Sequence, residues 1–473
     1  MKESLQQTSR GWRTGRRILL GLAVFATLIA LFYLEEDWRG KDAWERCKRE
    51  LAARGANFDW SAYVPAPVPA ESNVFGMPEM QRWLVRQNGK SSPELSDLLK
   101  SSNAFPIALA QITHAKAVDF IETSRQFAPQ LELIRQSLER PFVRMGGDYQ
   151  RPWETPVLNF VTYRFLAQNV AHLTRCYIVL HQPDKALDEL RFLRELSRLT
   201  QGRPTVLVST MIDVAVTGLY LDVVQEGLRS GQWGAGQIAV LQSDLQTIDL
   251  PKEFRRGFEG ERIASLELTS RLQGSDVAKF NAGNRGSGFW QNLRDPFYVL
   301  VVLAPHGWLY QNMVVIARWT WDIGETFDAT TGNVSPHVVA QKRSDLEAQF
   351  KHFSPFRVWA ALALPNFDKA SQVVARNQTM ANETIIVCAL ERYRLARGDY
   401  PDSLDALSPE FLEQIPHDLI GGQSLKYDKT ADGKFILYSI GWNEKDDGGQ
   451  TVSAKSGTTD FGQGDWVWPM KIY

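Results

Sequence analysis

Residues 379–401, TMANETIIVCALERYRLARGDYP, decide how the chain divides. From Thr379 to Arg397 the stretch reads as a helix: Ile386, Leu390 and Tyr393 fall on one face, with Val387 beside them. Gly398 ends it, and Asp399-Tyr400-Pro401 prevents it from resuming. A short helix is expected over Ser403–Leu407, followed by Ile415-Pro416-His417-Asp418 and Gly421-Gly422. The period then changes to two. Leu425-Lys426-Tyr427-Asp428 alternates, Ala431-Asp432-Gly433 turns, and Lys434–Ile440 alternates again, which predicts an antiparallel hairpin. An acidic, glycine-rich loop over 441–449 and a tryptophan-bearing end over 460–468 complete the region.

Tyr393, Gly398, Tyr400 and Pro401, then Pro416 and Asp418, then Tyr438, Ser439 and Gly441 carry a pattern. In this order the region 376–473 resembles the soluble domain of the major pseudopilins of type II secretion. The resemblance implies a small α+β domain whose acidic loop binds calcium. The positions it points to are Asn443, where that family usually has aspartate, and Asp465, with Asp446 and Asp447 supplying nearby carboxylates. Calcium takes six to eight oxygens, which carboxylates and carbonyls on such a loop provide. The competing reading is a solvated acidic turn. The chain departs from the family in having no Gly-Phe-Thr-Leu-x-Glu processing site. About 340 residues separate its apolar N-terminal run from the pseudopilin-like helix, so assembly by the pseudopilin mechanism is not expected.

Upstream, residues 76–375 read as a large α-helical body. Phe165, Leu166, Val170, Leu173, Tyr177 and Leu180 form one helical set, and Ala186, Leu187, Leu190, Leu193 and Leu196 another, separated by Gln182-Pro183-Asp184. This pair resembles one tetratricopeptide unit through Leu173, Tyr177, Ala186 and Leu190. Thr174 replaces its glycine and Arg198 its proline, and no second copy follows at 34 residues, so an ordinary helical hairpin is preferred. Asp184, Asp188 and Glu189, beside Lys185 and Arg191, read as a solvated face. The glycine-rich stretch NAGNRGSG, 281–288, reads as a flexible surface loop rather than a phosphate loop, since no lysine-serine or lysine-threonine pair follows.

The N-terminus supplies the address. Lys2, Arg10, Arg13, Arg16 and Arg17 stand against Glu3 alone in residues 1–17. The run 18–34, ILLGLAVFATLIALFYL, is uncharged, and as a helix it rises about 26 Å, near the lower limit for a bilayer core. Glu35, Glu36 and Asp37 follow at once. The positive-inside rule predicts a cytoplasmic tail at 1–17, a single transmembrane signal anchor at 18–34, and the bulk of the chain on the periplasmic or extracytoplasmic side of the inner membrane. A cleaved signal peptide is the alternative, disfavoured by the length of the run and by Leu28 before Ala30. Val206–Val224 is apolar but holds Asp213 and Asp222, so it reads as a buried core helix rather than a second span. Residues 35–75 read as a membrane-proximal helix, with Trp44, Cys47 and Leu51 on one face, and a segment stiffened by Pro65, Pro67 and Pro69. That segment is either a free linker or an extended stretch pinned to the surface.

The net charge of −1 removes the chain-wide basic surface that nucleic-acid binding uses. Three cysteines are too few for a disulfide framework or a four-thiolate zinc site. Seven scattered histidines form no metalloprotease pair, and no Gly-x-Ser-x-Gly elbow occurs, so no catalytic residue and no required cofactor is identified. The expected class is thus mainly α, with one membrane helix, a helical body and a small α+β tail. Its expected partners are the lipid bilayer, through 18–34, and proteins of the envelope; the function is interaction or assembly. Trp442, Trp466 and Trp468 offer a second reading, a glycan or other ligand site built on flat rings, against the ordinary role of closing a small core, and an enzyme with a site assembled from distant residues is a third.

Overall fold

A computed structural model describes residues 2–85, 105, 108–150, 152, 155–202, 205–271, 302–363, 368–455 and 457–470. The loop 281–288 lies outside the described residues. The longer helices are α1 (Lys2–Ala53), α2 (His114–Ser124), α3 (Ala128–Leu138), α4 (Phe160–Val179), α5 (Pro183–Glu195), α6 (Leu207–Ser230), α7 (Ala235–Gln246), α8 (Leu250–Ser270), α9 (His306–Gly324), α10 (Pro336–Phe350) and α11 (Asp368–Arg397). Two compact units form. One takes Met1–Phe58, Ser265–Trp319 and Glu347–Pro365; the other takes Asp59–Ala264, Thr320–Leu346 and Asn366–Tyr473.

In the first unit α1 is unbroken from the basic tip to Ala53. Its apolar run is exposed, with Ile18, Phe25 and Leu31 each near 60% and none of its most apolar window buried inside the fold. The charged half beyond it is amphipathic as its spacing predicts: Trp44, Cys47 and Leu51 are buried, and Gly55 leaves the helix at φ +94°. The acidic step after the run has a local structural use. The amide of Gly307, at the start of α9, donates to Asp37 Oδ1 at 2.7 Å, and the Trp308 indole donates to Glu36 Oε2 at 2.9 Å. Carboxylates are favoured at a helix N-terminus, where amides lack partners and the dipole is positive. The backbones touch here. A Cβ on Gly307 would lie 1.8 Å from the Glu36 carbonyl oxygen, and one on Gly40 would lie 2.1 Å from the Gly307 oxygen, so the crossing requires both glycines.

In the second unit α4 and α5 form the antiparallel hairpin, with Leu173, Ala186 and Leu190 buried. Arg198, at the position where the repeat motif has proline, turns its guanidinium to the carbonyls of Leu138 and Arg140, satisfying acceptors at the end of α3. The apolar helix α6 is a core helix in this fold, with 67% of its most apolar window buried. Gly231, at φ +67°, caps it. The proline segment is held rather than free: Trp60 and Tyr63 pack on Ile263, and Arg144 Nε donates to the Pro65 carbonyl at 3.3 Å.

Helix α11 begins at Asp368, so the expected division at 375/376 falls inside it. From Val374 to Leu390 it is buried almost all round, packed by α6 and α7 and by the C-terminal sheet. Its amide side chains do the stitching. Asn377 donates to the Val214 carbonyl at 2.8 Å, Gln378 accepts from the Leu250 amide at 2.8 Å, and Asn382 donates to the His417 carbonyl at 3.1 Å. Beyond Gly398 (φ +87°), β1 (Lys426–Lys429) pairs antiparallel with β2 (Phe435–Ser439) across the expected turn, with Lys426 opposite Tyr438. A second ladder pairs β3 (Thr451–Ser453) with β4 (Thr459–Gly464), and β5 (Trp466–Val467) returns to pair with β2. The described residues are therefore mainly helical with a small C-terminal antiparallel sheet, and of the two helices long and apolar enough to cross a membrane the exposed one is at the N-terminus.

Candidate functional site

Helices α2–α5 and α7 shape two adjoining recesses of the second unit. Amphipathic α5 turns Leu190 and Leu193 inward and leaves Asp188, Arg191 and Glu195 on its outer face. Against that face and α3 lies a groove of about 680 Å³, lined by Arg135, Arg191, Arg194 and Arg198 and by the acids Glu139, Asp188, Glu189, Glu195 and Asp244. Its floor is the Phe192 ring, over which the Arg135 guanidinium lies at 3.8 Å. Arg135 also holds Glu189 at 2.7 Å. Burial raises the Glu189 carboxyl above its ordinary range, and Arg135 opposes that shift. A second recess of about 370 Å³ shares Arg135 and Glu189 with the first. Its lining is more apolar, with Val118, Ile121, Leu131, Leu173, Tyr177 and Leu180. It also carries Glu122, Arg125, Glu132 and Lys185, so together the two recesses form a strip with charges of both signs along its length and apolar side chains concentrated in the second. Asp184 and Asp188 are exposed as the sequence predicts, whereas Glu189 belongs to the groove.

The acidic loop brings three of the four calcium candidates together, Asn443, Asp447 and Asp465. Asn443 Nδ2 donates to Asp447 Oδ2 at 2.8 Å, and the Asp447 amide donates to Asp465 Oδ1 at 3.1 Å. Asp465 is buried, and its other oxygen accepts from the Gly449 amide at 2.6 Å. Burial raises its carboxyl, and those two amides oppose the rise. Asp446 turns the other way, accepting from the Tyr438 hydroxyl at 3.1 Å and pairing with Lys426 at 3.4 Å. Backbone and side-chain donors thus occupy the loop carboxylates, and among the described residues no group of three or more His, Cys, Asp or Glu side chains is arranged to hold a metal.

Trp466 is buried and its indole donates to the Phe461 carbonyl at 3.1 Å. Half-buried Trp442 stacks on it at 6.3 Å, and half-buried Trp468 stacks on Phe435 at 5.7 Å. The three rings share in closing the sheet's core, and Trp466 has no face to offer a ligand.

One constellation was not anticipated from sequence. The Ser335 hydroxyl lies 2.8 Å from His337 Nδ1, and Glu444 Oε1 lies 3.0 Å from the same nitrogen. A hydrolytic triad places serine and carboxylate on opposite imidazole nitrogens. Here both meet one nitrogen, so the arrangement is not that of a triad, and the trio clasps the acidic loop to the start of α10.

No family model, curated protein or solved structure matches the chain. The geometry therefore stands alone.

Two buried ionic features also escaped the sequence reading. Arg175, on α4, is fully buried and pairs with Asp222 at 2.7 Å and Glu226 at 2.5 Å, both on α6. Burial pushes Asp222 up to about 6, against the pull of Arg175. Glu383, on α11, is fully buried, and neither of its oxygens has a well-formed hydrogen bond. Burial first, then the neighbouring Asp418 carboxylate, drives its pKa well above the ordinary range. Asp418 itself accepts from the Ser439 hydroxyl at 2.8 Å and from the Ile420 and Ile440 amides. A sequence signal existed for the first: Asp222 and Glu226 are four apart on a mainly apolar helix, facing a lone arginine between Leu173 and Cys176.

Proposed function

We propose that the chain is a membrane-anchored interaction protein of the cell envelope. Residues 1–17 are cytoplasmic, 18–34 cross the bilayer, and the folded units stand on the extracytoplasmic side. The observation that carries this reading is α1: an exposed apolar run continuous with a half whose Trp44, Cys47 and Leu51 are built into a folded core. Water solvates such a run poorly, and a bilayer solvates it well. The positive tip and acidic exit give the orientation.

The groove of α2–α5 receives a polypeptide partner. Its apolar side chains, set among charges of both signs, suit an amphipathic segment bearing both charges, with apolar anchors giving affinity and charges giving register. The order of a helix stopped at Gly398, an antiparallel hairpin and an acidic loop supports the pseudopilin-like reading of the tail, and the link to secretion rests on that resemblance.

A photo-crosslinking residue at Asp188, on the groove rim, is expected to give a discrete adduct above 53.6 kDa in cells. Arg191→Glu should abolish the adduct, and a probe at exposed Val452 should give none. The same adducts from both probes, or none from Asp188, would refute the groove as the partner site. Calcium in the acidic loop is part of the same proposal, with the metal replacing the amide donors around Asp465. A rise in the melting temperature of the full chain at millimolar calcium is expected, and an unchanged melt would remove the metal from the account.

A further inference from the structure

The first unit has a surface that the anchor alone does not explain. The Tyr33 hydroxyl donates to the Leu303 carbonyl, which sets Leu303 level with the last turn of the apolar run. Gly307 sits one turn farther along, against Asp37. From Gly307 back to Leu303 the chain therefore descends beside α1 toward the end of that run. There it exposes Val302 (48%) and Leu303 (61%), and Trp38 on α1 is 69% exposed. The Trp308 ring lies edge-on to Phe32 at 6.5 Å while its indole N–H reaches Glu36. An indole with an apolar side and a hydrogen-bonded polar tip belongs at the water boundary of a membrane.

Just above this level is a cleft of about 320 Å³ lined by Arg39, Arg46 and Arg357, with no acid in its lining and with Val314, Val315 and Phe356 behind them. Arg39 lies about 7 Å beyond Leu34 along the helix, within the headgroup layer that adds about 5–8 Å to each side of a bilayer core. Arg39 and Arg46 have carboxylates of their own helix, Glu36 and Asp42, as neighbours, and Arg357 donates to the Gln349 carbonyl. Arg46 lies about 18 Å beyond Leu34, past that layer, whereas the Arg39 guanidinium is at the depth of the lipid phosphates, which it can bind in paired hydrogen bonds.

We infer that this face is a second, interfacial membrane contact: Val302 and Leu303 seat in the acyl–headgroup boundary of the outer leaflet, and Arg39, at the membrane-side end of the cleft, faces the phospholipid phosphates. The inference rests on the anchor reading of residues 18–34. It differs from a second span, because the contact lies along the surface and α9 turns away at Pro305-His306-Gly307.

The experiment uses the full chain in phospholipid vesicles, with an environment-sensitive fluorophore on a single introduced cysteine. Cys47, Cys176 and Cys388 are all buried, so introduced thiols label selectively. Leu303→Cys carries the test, Phe25→Cys reports the anchor, and Val452→Cys is the exposed control. The label at 303 is expected to emit to the blue of the control. Lipid bearing a nitroxide high on its acyl chain should remove most of its emission. Emission at 303 like that of the control, with the label at 25 still quenched, would overturn the interfacial contact and leave the anchor standing. A blue-shifted but unquenched label would also overturn it, since protein rather than lipid would then cover the face. Failure of the label at 25 would remove the anchor, and the interfacial contact with it.

Discussion

Replacing Arg175 with methionine is expected to destabilise the second unit by about 3–5 kcal/mol, the usual cost of leaving buried charges without their partner. Its side chain is fully buried, and it alone faces both Asp222 and Glu226, whose side chains are 18% and 17% exposed. Without it, both carboxylates must take up protons or admit water. In thermal unfolding of the detergent-solubilised chain this corresponds to a fall of roughly 4–7 °C for a unit of this size. The attribution can be checked by removing the whole cluster. Arg175→Met with Asp222→Leu and Glu226→Met should recover most of the loss, because apolar replacements of a complete buried ion cluster are commonly neutral or stabilising. A loss below about 1 kcal/mol for Arg175→Met, or no recovery in the triple variant, would show that the cluster is not a keystone of the α4–α6 packing.

Glu383→Gln is expected to act in the opposite direction. The folded state holds the Glu383 carboxyl well above its ordinary value of 4.5, through burial and the Asp418 charge. Folded protein therefore keeps a proton that unfolded chain releases. The stability associated with this group is complete below about pH 4.5 and falls as pH rises toward the folded value. Asp213, pushed up to about 7 by burial, has the same sign. His172, held near 3 by burial, has the opposite sign, but its contribution is constant above about pH 6.5. Between about pH 6.5 and 8 the wild-type chain should lose stability with rising pH. Glu383→Gln should be more stable than wild type by about 1–3 kcal/mol at pH 8, with the advantage vanishing near pH 4. Equal stabilities across that range would mean that Glu383 ionises in the fold without penalty.

What the sequence revealed followed physical periodicity. The uncharged run with its charge step, the α4–α5 hairpin broken at Pro183, the stop at Gly398 and the β1–β2 alternation are all local, and each appears in the fold. The two-sided burial of α11 was hidden for a specific reason. Asn377, Gln378, Asn382 and Glu383 recur each turn as a solvent face would, but three of their partners are main-chain groups at 214, 250 and 417, far away in sequence. Periodicity sees polarity and cannot see that a distant carbonyl satisfies it. The groove was missed similarly: Arg135 and Glu189 are 54 residues apart, and neither belongs to a motif. The acidic loop was legible as a cluster, but its composition did not reveal that amides of the same loop already hold Asp465.

The continuity of α1 has a mechanical consequence. From Leu34 to Ala53 the hydrogen-bonded rod has no proline, and Gly40, its one glycine there, is locked against Gly307. Nothing in that stretch can act as a hinge. Over about 28 Å of helix, a tilt of about 10° in the bilayer would carry Ala53 sideways by about 5 Å. Trp44, Cys47 and Leu51 would take the packed core of the first unit with them. With residues 18–34 in a bilayer, as proposed, its thickness and lateral pressure thereby gain a lever on the first unit.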